Sequence, residues 1–105
     1  MYLVLSHAWT LDEGRHRDAY VAVTDEFEVF HRAQSGFRGR RLVRDTSDGR
    51  HFLNLRYWDS PEDYTRMVGD PAYPDWIARL SEHVEPRDPQ KVVYEVELDH
   101  PDPLV

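Results

Sequence analysis

The spacing of apolar residues changes along this chain from strand-like alternation to a helical repeat and back, and this order constrains the fold more than any other feature. A run rich in β-formers occupies residues 2–9, and residues 15–34 place aromatic and aliphatic side chains at three- and four-residue intervals. These patterns predict a strand and then an amphipathic helix. Gly36 can adopt the left-handed backbone at which such a helix ends. Phe37–Arg44 is the second predicted strand.

The second half of the chain adds a strand, a helix in two pieces and a final strand. His51–Trp58 is the densest apolar segment, and its alternation sends one set of side chains to each face of a sheet. Ser60, followed by a proline and two carboxylates, predicts a helix start with the hydroxyl as N-cap. Asp70-Pro71 interrupts this helix, and Pro74-Asp75 restarts it. Residues 91–99 alternate again and form the last predicted strand.

The resulting order, β-α-β-β-α-β, predicts an α+β fold of the ferredoxin-like, split βαβ type. In this fold a four-stranded antiparallel sheet carries its helices on one face. The length of 105 residues fits a single domain. We assign residues 1–99 to the domain and the proline-rich residues 100–105 to a C-terminal tail.

The uncovered face of this sheet is predicted to carry Val4, Leu53, Leu55 and Tyr57, an apolar surface too continuous to remain in water. A second copy of the sheet is the simplest cover, because homodimers pair identical patches about a twofold axis. We therefore expect a homodimer rather than a monomer with an apolar sheet face.

The charge balance and the lack of cysteine exclude several classes of function. A formal net charge of -7 gives a surface that repels nucleic acids and anionic membranes, so neither is an expected partner. Without cysteine there is no disulfide framework, thiolate nucleophile or cysteine-based metal site, and the histidines lack metal-binding spacing. No Gly-rich phosphate loop follows a strand, so no nucleotide cofactor is predicted. We find no export or membrane-spanning segment and expect a cytoplasmic protein.

The cavity between sheet and helices is the expected place for chemistry, and three polar groups could meet there. Asn54 and Trp58 lie four residues apart on one face of the third strand, and Tyr64 follows on the next helix. An amide, an indole N–H and a phenol could hydrogen-bond the oxygens of a ligand, and the rings could stack on a flat aromatic body. In the alternative interpretation, Trp58 and Tyr64 are ordinary core aromatics and Asn54 bonds backbone.

Other side chains are candidates for the same cavity. His7 would look into it if Leu3 and Leu5 also faced the helices, and it could then act as a general base; otherwise it is a structural strand histidine. Arg79 could pair with an anionic ligand at the cavity mouth or remain a surface arginine. The apolar sides of the helices supply the remaining candidates for substrate contact, Phe27, Met67 and Trp76.

Two short motifs resemble those of a known family. Gly36-Phe37, between helix and strand, and Trp58-Asp59-Ser60, opening the next helix, look like signatures of the antibiotic biosynthesis monooxygenase family of dimeric α/β barrels. In its cofactor-independent branch, an asparagine four residues before the strand's tryptophan and a tyrosine six residues after it line the active site. Asn54 and Tyr64 match this pattern around Trp58, whereas Arg79 lies a residue or two out of register with that branch's helical arginine.

The resemblance implies a monooxygenase that oxidises a small phenolic or polycyclic aromatic substrate to a quinone with O2 and needs no cofactor. The substrate anion would reduce dioxygen directly, with Asn54 and Trp58 holding oxygen atoms and Tyr64 or His7 handling the proton. The alternative is a non-catalytic or isomerase-type barrel that binds a small ligand.

Haem degradation is disfavoured within the same resemblance. His7 stands where the haem-degrading branch has an asparagine, and Met67 stands where it has a tryptophan. The region of its axial histidine holds Trp76-Ile77.

Overall fold

The computed structural model of the protein describes residues 1–87 and 91–100. Within them lie four strands and three helices: β1 (Tyr2–Trp9), α1 (Arg15–Arg32), β2 (Phe37–Arg44), β3 (His51–Trp58), α2 (Pro61–Val68), α3 (Tyr73–Ser81) and β4 (Val92–Glu95). The predicted order is confirmed, although the last strand ends at Glu95 rather than at residue 99. The predicted tail, apart from His100, lies outside the described residues. None of the described helices is long and apolar enough to cross a membrane.

The strands form one sheet in the order β2-β3-β1-β4. All three pairings are antiparallel, and β1 pairs with β3 along its whole length, from Tyr2 opposite Trp58 to Trp9 opposite His51. β4 covers only the first half of the other edge of β1, where it pairs with residues 2–5. This topology confirms the predicted ferredoxin-like fold, and among the described residues no strand pairs with the outer edge of the second half of β1.

The register between β1 and β3 decides which side chains meet, because directly paired residues of antiparallel strands share a face. Val4 pairs with Arg56, and Ser6 pairs with Asn54. These residues lie on the face that the helices cover, as the alternating burial of β3 shows. The placement of Val4 on the open face was therefore wrong: it shares a face with Arg56 and is fully buried.

The open face carries an apolar strip along both central strands. Leu53, Leu55 and Tyr57 lie there as predicted, opposite His7, Leu5 and Leu3 of β1. All five apolar side chains are half-buried within the single chain. The sheet therefore presents a continuous apolar surface on the side away from the helices.

The core lies between the sheet and all three helices. Its buried members come from the two central strands and from each helix in turn: Val4, Phe27, Trp58, Met67 and Tyr73. Burial of large apolar side chains such as these is the main stabilising contribution in a domain of this size.

The start of α2 follows the local sequence as predicted. Ser60 is the N-cap, with its Oγ accepting from the Asp63 backbone N–H at 3.3 Å, and Pro61 occupies the first turn, where its missing N–H costs nothing. This cap fixes where the chain turns from the end of β3 into the helix that carries Tyr64 and Met67.

Gly36 is the position at which an added methyl group is expected to be most disruptive to the fold. Its φ of 82° lies in the left-handed region, and a Cβ there would meet Asp63 Oδ2 at 2.0 Å. We expect Gly36→Ala to lower the free energy of unfolding by about 1 to 3 kcal/mol, because backbone strain and the displacement of Asp63 would both destabilise the folded state. Urea denaturation measures the loss, with Gly69→Ala as control, since Gly69 has φ of -79°. Equal stability of the two variants would contradict the prediction.

Candidate functional site

A cavity of about 310 Å³ lies between the sheet, α1, α3 and the segment that follows α3. Strand residues form its floor: Ser6, His7, Ala8 and Trp9 of β1, with Asn54 and Arg56 of β3. Helix residues and the following segment complete it: Tyr20, Phe27, Ile77, Leu80, Ser81, Val84, Glu85, Pro86, Arg87 and Lys91. Its volume lies at the lower end of the range of ligand pockets, about 300–1,000 Å³. The cavity has room for a small ligand between aromatic and aliphatic walls.

Asn54 lies on the cavity floor, as predicted. Its side chain is on the helix-covered face of β3 and is only 6% exposed. The amide oxygen Oδ1 is buried and has no hydrogen-bond partner among the described residues. Buried polar atoms are nearly always paired, so an unpaired amide oxygen on a cavity-lining residue is a group that a ligand hydroxyl could satisfy.

Arg56 is the residue at this site that the sequence interpretation missed. It follows Asn54 by two residues on the same face, lines the cavity and is 3% exposed. Its Nη2 donates to Ser6 Oγ at 2.9 Å, whereas Nε is buried without a partner. Burial lowers the pKa of its guanidinium, since the charged form loses solvation there. A charged residue at an inward position of a buried strand was the signal that could have revealed it.

Lys91 brings a second cation to the cavity from the segment that precedes β4. Its Nζ donates to Tyr73 Oη at 2.9 Å and lies 6.0 Å from the centre of the Tyr64 ring. The Arg56 guanidinium carbon lies 5.8 Å from the centre of the same ring. Tyr64 is therefore next to two cations of the cavity, although it is not itself among the lining residues.

The other end of the cavity holds an ion-pair cluster that is already satisfied. Glu85 accepts from Arg50 Nη1 at 2.6 Å and pairs with Arg87 at 2.7 Å. Hydrogen bonds from these two arginines hold the pKa of the Glu85 carboxyl below its usual range. Arg87 also lies over the Trp9 ring, 3.9 Å from its centre. These contacts hold the segment after α3 against Trp9 of β1 and against Arg50, which precedes β3.

Trp58 shares a face with Asn54, as predicted, but it does not reach the cavity. It is fully buried in an aromatic cluster, 5.3 Å from the centre of Phe37 and 6.1 Å from that of Tyr64, both edge-on. Four strand residues span about 13 Å, so two side chains on one face need not contact one ligand. Its Nε1 has no partner among the described residues. The contact network places Trp58 in the core.

The helix candidates divide between cavity and core. Phe27 lines the cavity, while Met67 is fully buried in the core. Trp76 stacks on Phe27 at a centroid distance of 5.0 Å and supports it from outside the lining. Arg79 lies over the Trp76 ring at 4.7 Å and pairs with Glu26, so its charge is engaged at the surface.

The condition under which His7 would look toward the helices is not met. His7 pairs with Leu53, so its side chain belongs to the open face, although the strand segment that carries it borders the cavity. There its ring stacks with those of Trp9 and His51, and its Nδ1 shares a 2.9 Å hydrogen bond with His51 Nε2. Strand alternation separates His7 from the Asn54 amide by the thickness of the sheet.

His31 is a further buried polar residue that the sequence interpretation missed. It is fully buried beside Trp58, Phe27 and Phe37, and its Nδ1 donates to the Phe27 carbonyl at 3.0 Å. Burial lowers its pKa to about 4, because the charged imidazolium would be poorly solvated there. This shift makes the stability of the fold depend on pH.

The unfolded chain takes up a proton at His31 near pH 6.5, whereas the folded chain does so only near pH 4. The contribution of neutral His31 to the free energy of unfolding is therefore complete above pH 6.5. It is lost as the pH falls toward 4, by about 1.4 kcal/mol per pH unit. Urea unfolding at several pH values should show this slope in the free energy of unfolding. His31→Phe should remove the part of the slope that His31 causes. An identical pH dependence in both proteins would contradict the assignment.

Metal binding has no support from the described residues, among which no three histidine, aspartate or glutamate side chains form a group that could hold an ion. The chemistry available at the cavity is instead that of an amide, two cations and aromatic walls. Such groups can orient a flat ligand and stabilise negative charge on its oxygens.

Comparisons with known proteins agree with this architecture. The model of the antibiotic biosynthesis monooxygenase family matches residues 4–79. No curated protein sequence matches the chain. SnoaB from Streptomyces nogalater, a cofactor-independent oxygenase, has a similar solved structure, with a TM-score of 0.77 and 14% identity over 96% of this chain and 98% of that one.

Two further solved structures are similar over nearly their whole length. One is a provisionally assigned antibiotic biosynthesis monooxygenase from Bordetella bronchiseptica, with a TM-score of 0.81 and 11% identity over 92% of this chain and 97% of that one. The other is Rv0793 from Mycobacterium tuberculosis, with a TM-score of 0.72 and 20% identity over 97% and 100%. At these identities the structural comparisons establish the fold.

Proposed function

Because this chain belongs to the antibiotic biosynthesis monooxygenase family, we propose that it is a cofactor-independent monooxygenase that oxidises a small phenolic or polycyclic aromatic substrate to a quinone with O2. The observation that carries the proposal is Asn54, a buried residue of the lining of a small cavity with aromatic walls, whose amide oxygen has no hydrogen-bond partner among the described residues. SnoaB, a cofactor-independent oxygenase of similar fold, supports the same reaction class.

The reaction balances without a further reductant. An anthrone loses a proton from its CH2 carbon, or a phenol loses its O–H proton, and the resulting anion transfers electrons to O2 as a new carbon–oxygen bond forms at a ring carbon. That carbon also gives up its remaining hydrogen as a proton. The O–O bond then breaks, so that one oxygen atom remains on the ring as a carbonyl and the other leaves as water. The substrate supplies all four electrons, and the protein has to bind it, orient it and stabilise its anion.

The described residues suggest how these tasks are divided. Asn54 lines the cavity, where its Oδ1 can accept from a ligand hydroxyl and its Nδ2 can donate to a ligand oxyanion, and Phe27 and Tyr20 provide apolar walls that exclude water. Tyr64 is better placed than His7 to take part in proton transfer, because it lies beside Arg56 and Lys91 of the cavity lining, whereas the His7 side chain belongs to the open face. Trp58 supports the site by packing against Tyr64.

A homodimer is part of the proposal, because the open face needs a cover. Its strip of Leu3, Leu5, Leu53, Leu55 and Tyr57 is continuous across the two central strands. A second copy would bury this strip face to face about a twofold axis. Light scattering coupled to size-exclusion chromatography should therefore give twice the chain mass at micromolar concentration, and a monomer would count against this part.

Oxygen consumption tests the proposed reaction directly. With an anthrone and O2 as the only additions, we expect one O2 consumed per anthraquinone formed, at a rate that EDTA does not change. Labelling with ¹⁸O2 should place one heavy atom in the new carbonyl and the other in water. If ligands bind but O2 consumption does not exceed that with heat-denatured protein, the non-oxidative binding alternative replaces the proposal.

A further inference from the structure

The cavity holds more positive charge than the composition of the chain would suggest. The chain has a net charge of -7, yet the described part of the lining contains Arg56, Lys91 and Arg87 against one carboxylate, that of Glu85. Glu85 is already paired with Arg87 and with Arg50. Arg56 donates to the Ser6 hydroxyl and Lys91 to the Tyr73 hydroxyl, and neither pairs with a carboxylate of the described residues.

Arg56 is the more informative of the two cations because it is almost completely buried. A guanidinium has five N–H donors, and here one bond to Ser6 Oγ is made while Nε has no partner. A buried, unpaired charge is unfavourable for folding, and replacing such groups by apolar residues is often stabilising. Arg56 therefore contributes little to the fold that an apolar side chain could not supply, and it brings to the cavity lining more N–H donors than its observed hydrogen bond to Ser6 uses.

We propose that Arg56 is the anion-binding residue of this cavity, with Lys91 as a second cation, and that the ligand is an aromatic oxyanion. The inference rests on the proposed function in placing an aromatic ligand here, and it adds the charge of that ligand and the residue that selects it. Both a carboxylate and a phenolate present the required oxygen. A carboxylate can take two parallel bonds from the guanidinium, and a phenolate can take one.

Binding measured under nitrogen tests the inference apart from oxidation. Titration calorimetry compares 2-naphthoate with the isosteric but neutral 2-naphthamide, and absorbance shows whether bound 2-naphthol is ionised at pH 7. We expect naphthoate to bind roughly 10- to 100-fold more tightly than naphthamide, the range for hydrogen bonds to charged groups. If the cavity selects phenolates instead, bound naphthol shows the naphtholate band.

Three variants identify the residue responsible. Arg56→Met should abolish the preference for the anion, and Arg56→Lys should restore part of it. Arg38→Met is the matched control, because Arg38 is an exposed strand arginine paired with Asp59. Without ligand, Arg56→Met should have a midpoint of thermal unfolding equal to or above that of the native protein. If Arg56 were merely structural, its removal would lower this midpoint.

The outcomes separate this inference from the proposed function. Equal binding of naphthoate and naphthamide together with un-ionised bound naphthol overturns the inference, as does an anion preference that survives in Arg56→Met. If oxidation of anthrones fails while Arg56-dependent anion binding persists, only the proposed function falls. If oxidation proceeds at the same rate in native protein and Arg56→Met, only the inference falls.

Discussion

Replacing Asn54 with alanine should lower kcat/KM for anthrone oxidation by about 100- to 1,000-fold, the usual loss on removing a single donor that stabilises a developing oxyanion. Asn54 lines the floor of the cavity, and we expect its Nδ2 group to be that donor, because the unpaired Oδ1 can only accept a hydrogen bond. Oxygen-electrode measurements over a range of anthrone concentrations give kcat/KM for the native protein and for the variant.

The same substitution should leave the fold intact, because it removes a polar group with an unsatisfied oxygen and breaks no observed side-chain hydrogen bond. The free energy of unfolding should change by less than about 1 kcal/mol. Gln34→Ala is a suitable control, since the Gln34 side chain donates to the Phe30 carbonyl at the end of α1, away from the cavity lining. A fully active Asn54→Ala protein would remove the observation on which the proposed function rests.

Truncating Trp58 should produce the largest loss of stability in the domain. Trp58 is fully buried between Phe37, Tyr64 and His31, and alanine would leave a cavity that these rings cannot fill. We expect Trp58→Ala to lower the free energy of unfolding by about 3 to 5 kcal/mol, as in other large-to-small core substitutions. Urea denaturation measures the loss, and half-buried Trp76 provides a comparison that should lose less on the same change.

Trp58→Phe separates this structural role from the catalytic one that the sequence suggested. It removes the indole N–H, which has no partner among the described residues, and keeps most of the packing. The variant should retain kcat/KM within about threefold, since Trp58 is not among the cavity-lining residues. If folded Trp58→Phe protein loses as much activity as Asn54→Ala, Trp58 has a catalytic role and the structural interpretation is wrong.

Local sequence patterns were enough to predict the elements of this fold. Side-chain alternation in His51–Trp58 and the helical repeat across residues 15–34 depend on neighbours that are close along the chain. The N-cap at Ser60 and the positive φ of Gly36 follow from single residue types in local context. Asn54 and Phe27 were correctly expected at the cavity because their faces follow from these repeats.

The remaining site residues depend on contacts between distant parts of the chain. Alternation says that His7 and Ser6 lie on opposite faces, but only the register of β1 against β3 decides which of them meets Asn54. Lys91 enters the cavity from a segment far along the chain from β3, and no periodicity predicts that approach.

The sequence by itself thus determined the order and type of the elements, because propensity, capping and side-chain alternation act over a few residues. Only the tertiary structure decided which face of each strand the helices cover, that Arg56 is buried without a carboxylate partner among the described residues, and that Trp58 belongs to the core. Those properties are set by strand register and by packing across the sheet, where residues about fifty positions apart in the chain, such as Ser6 and Arg56, come into contact.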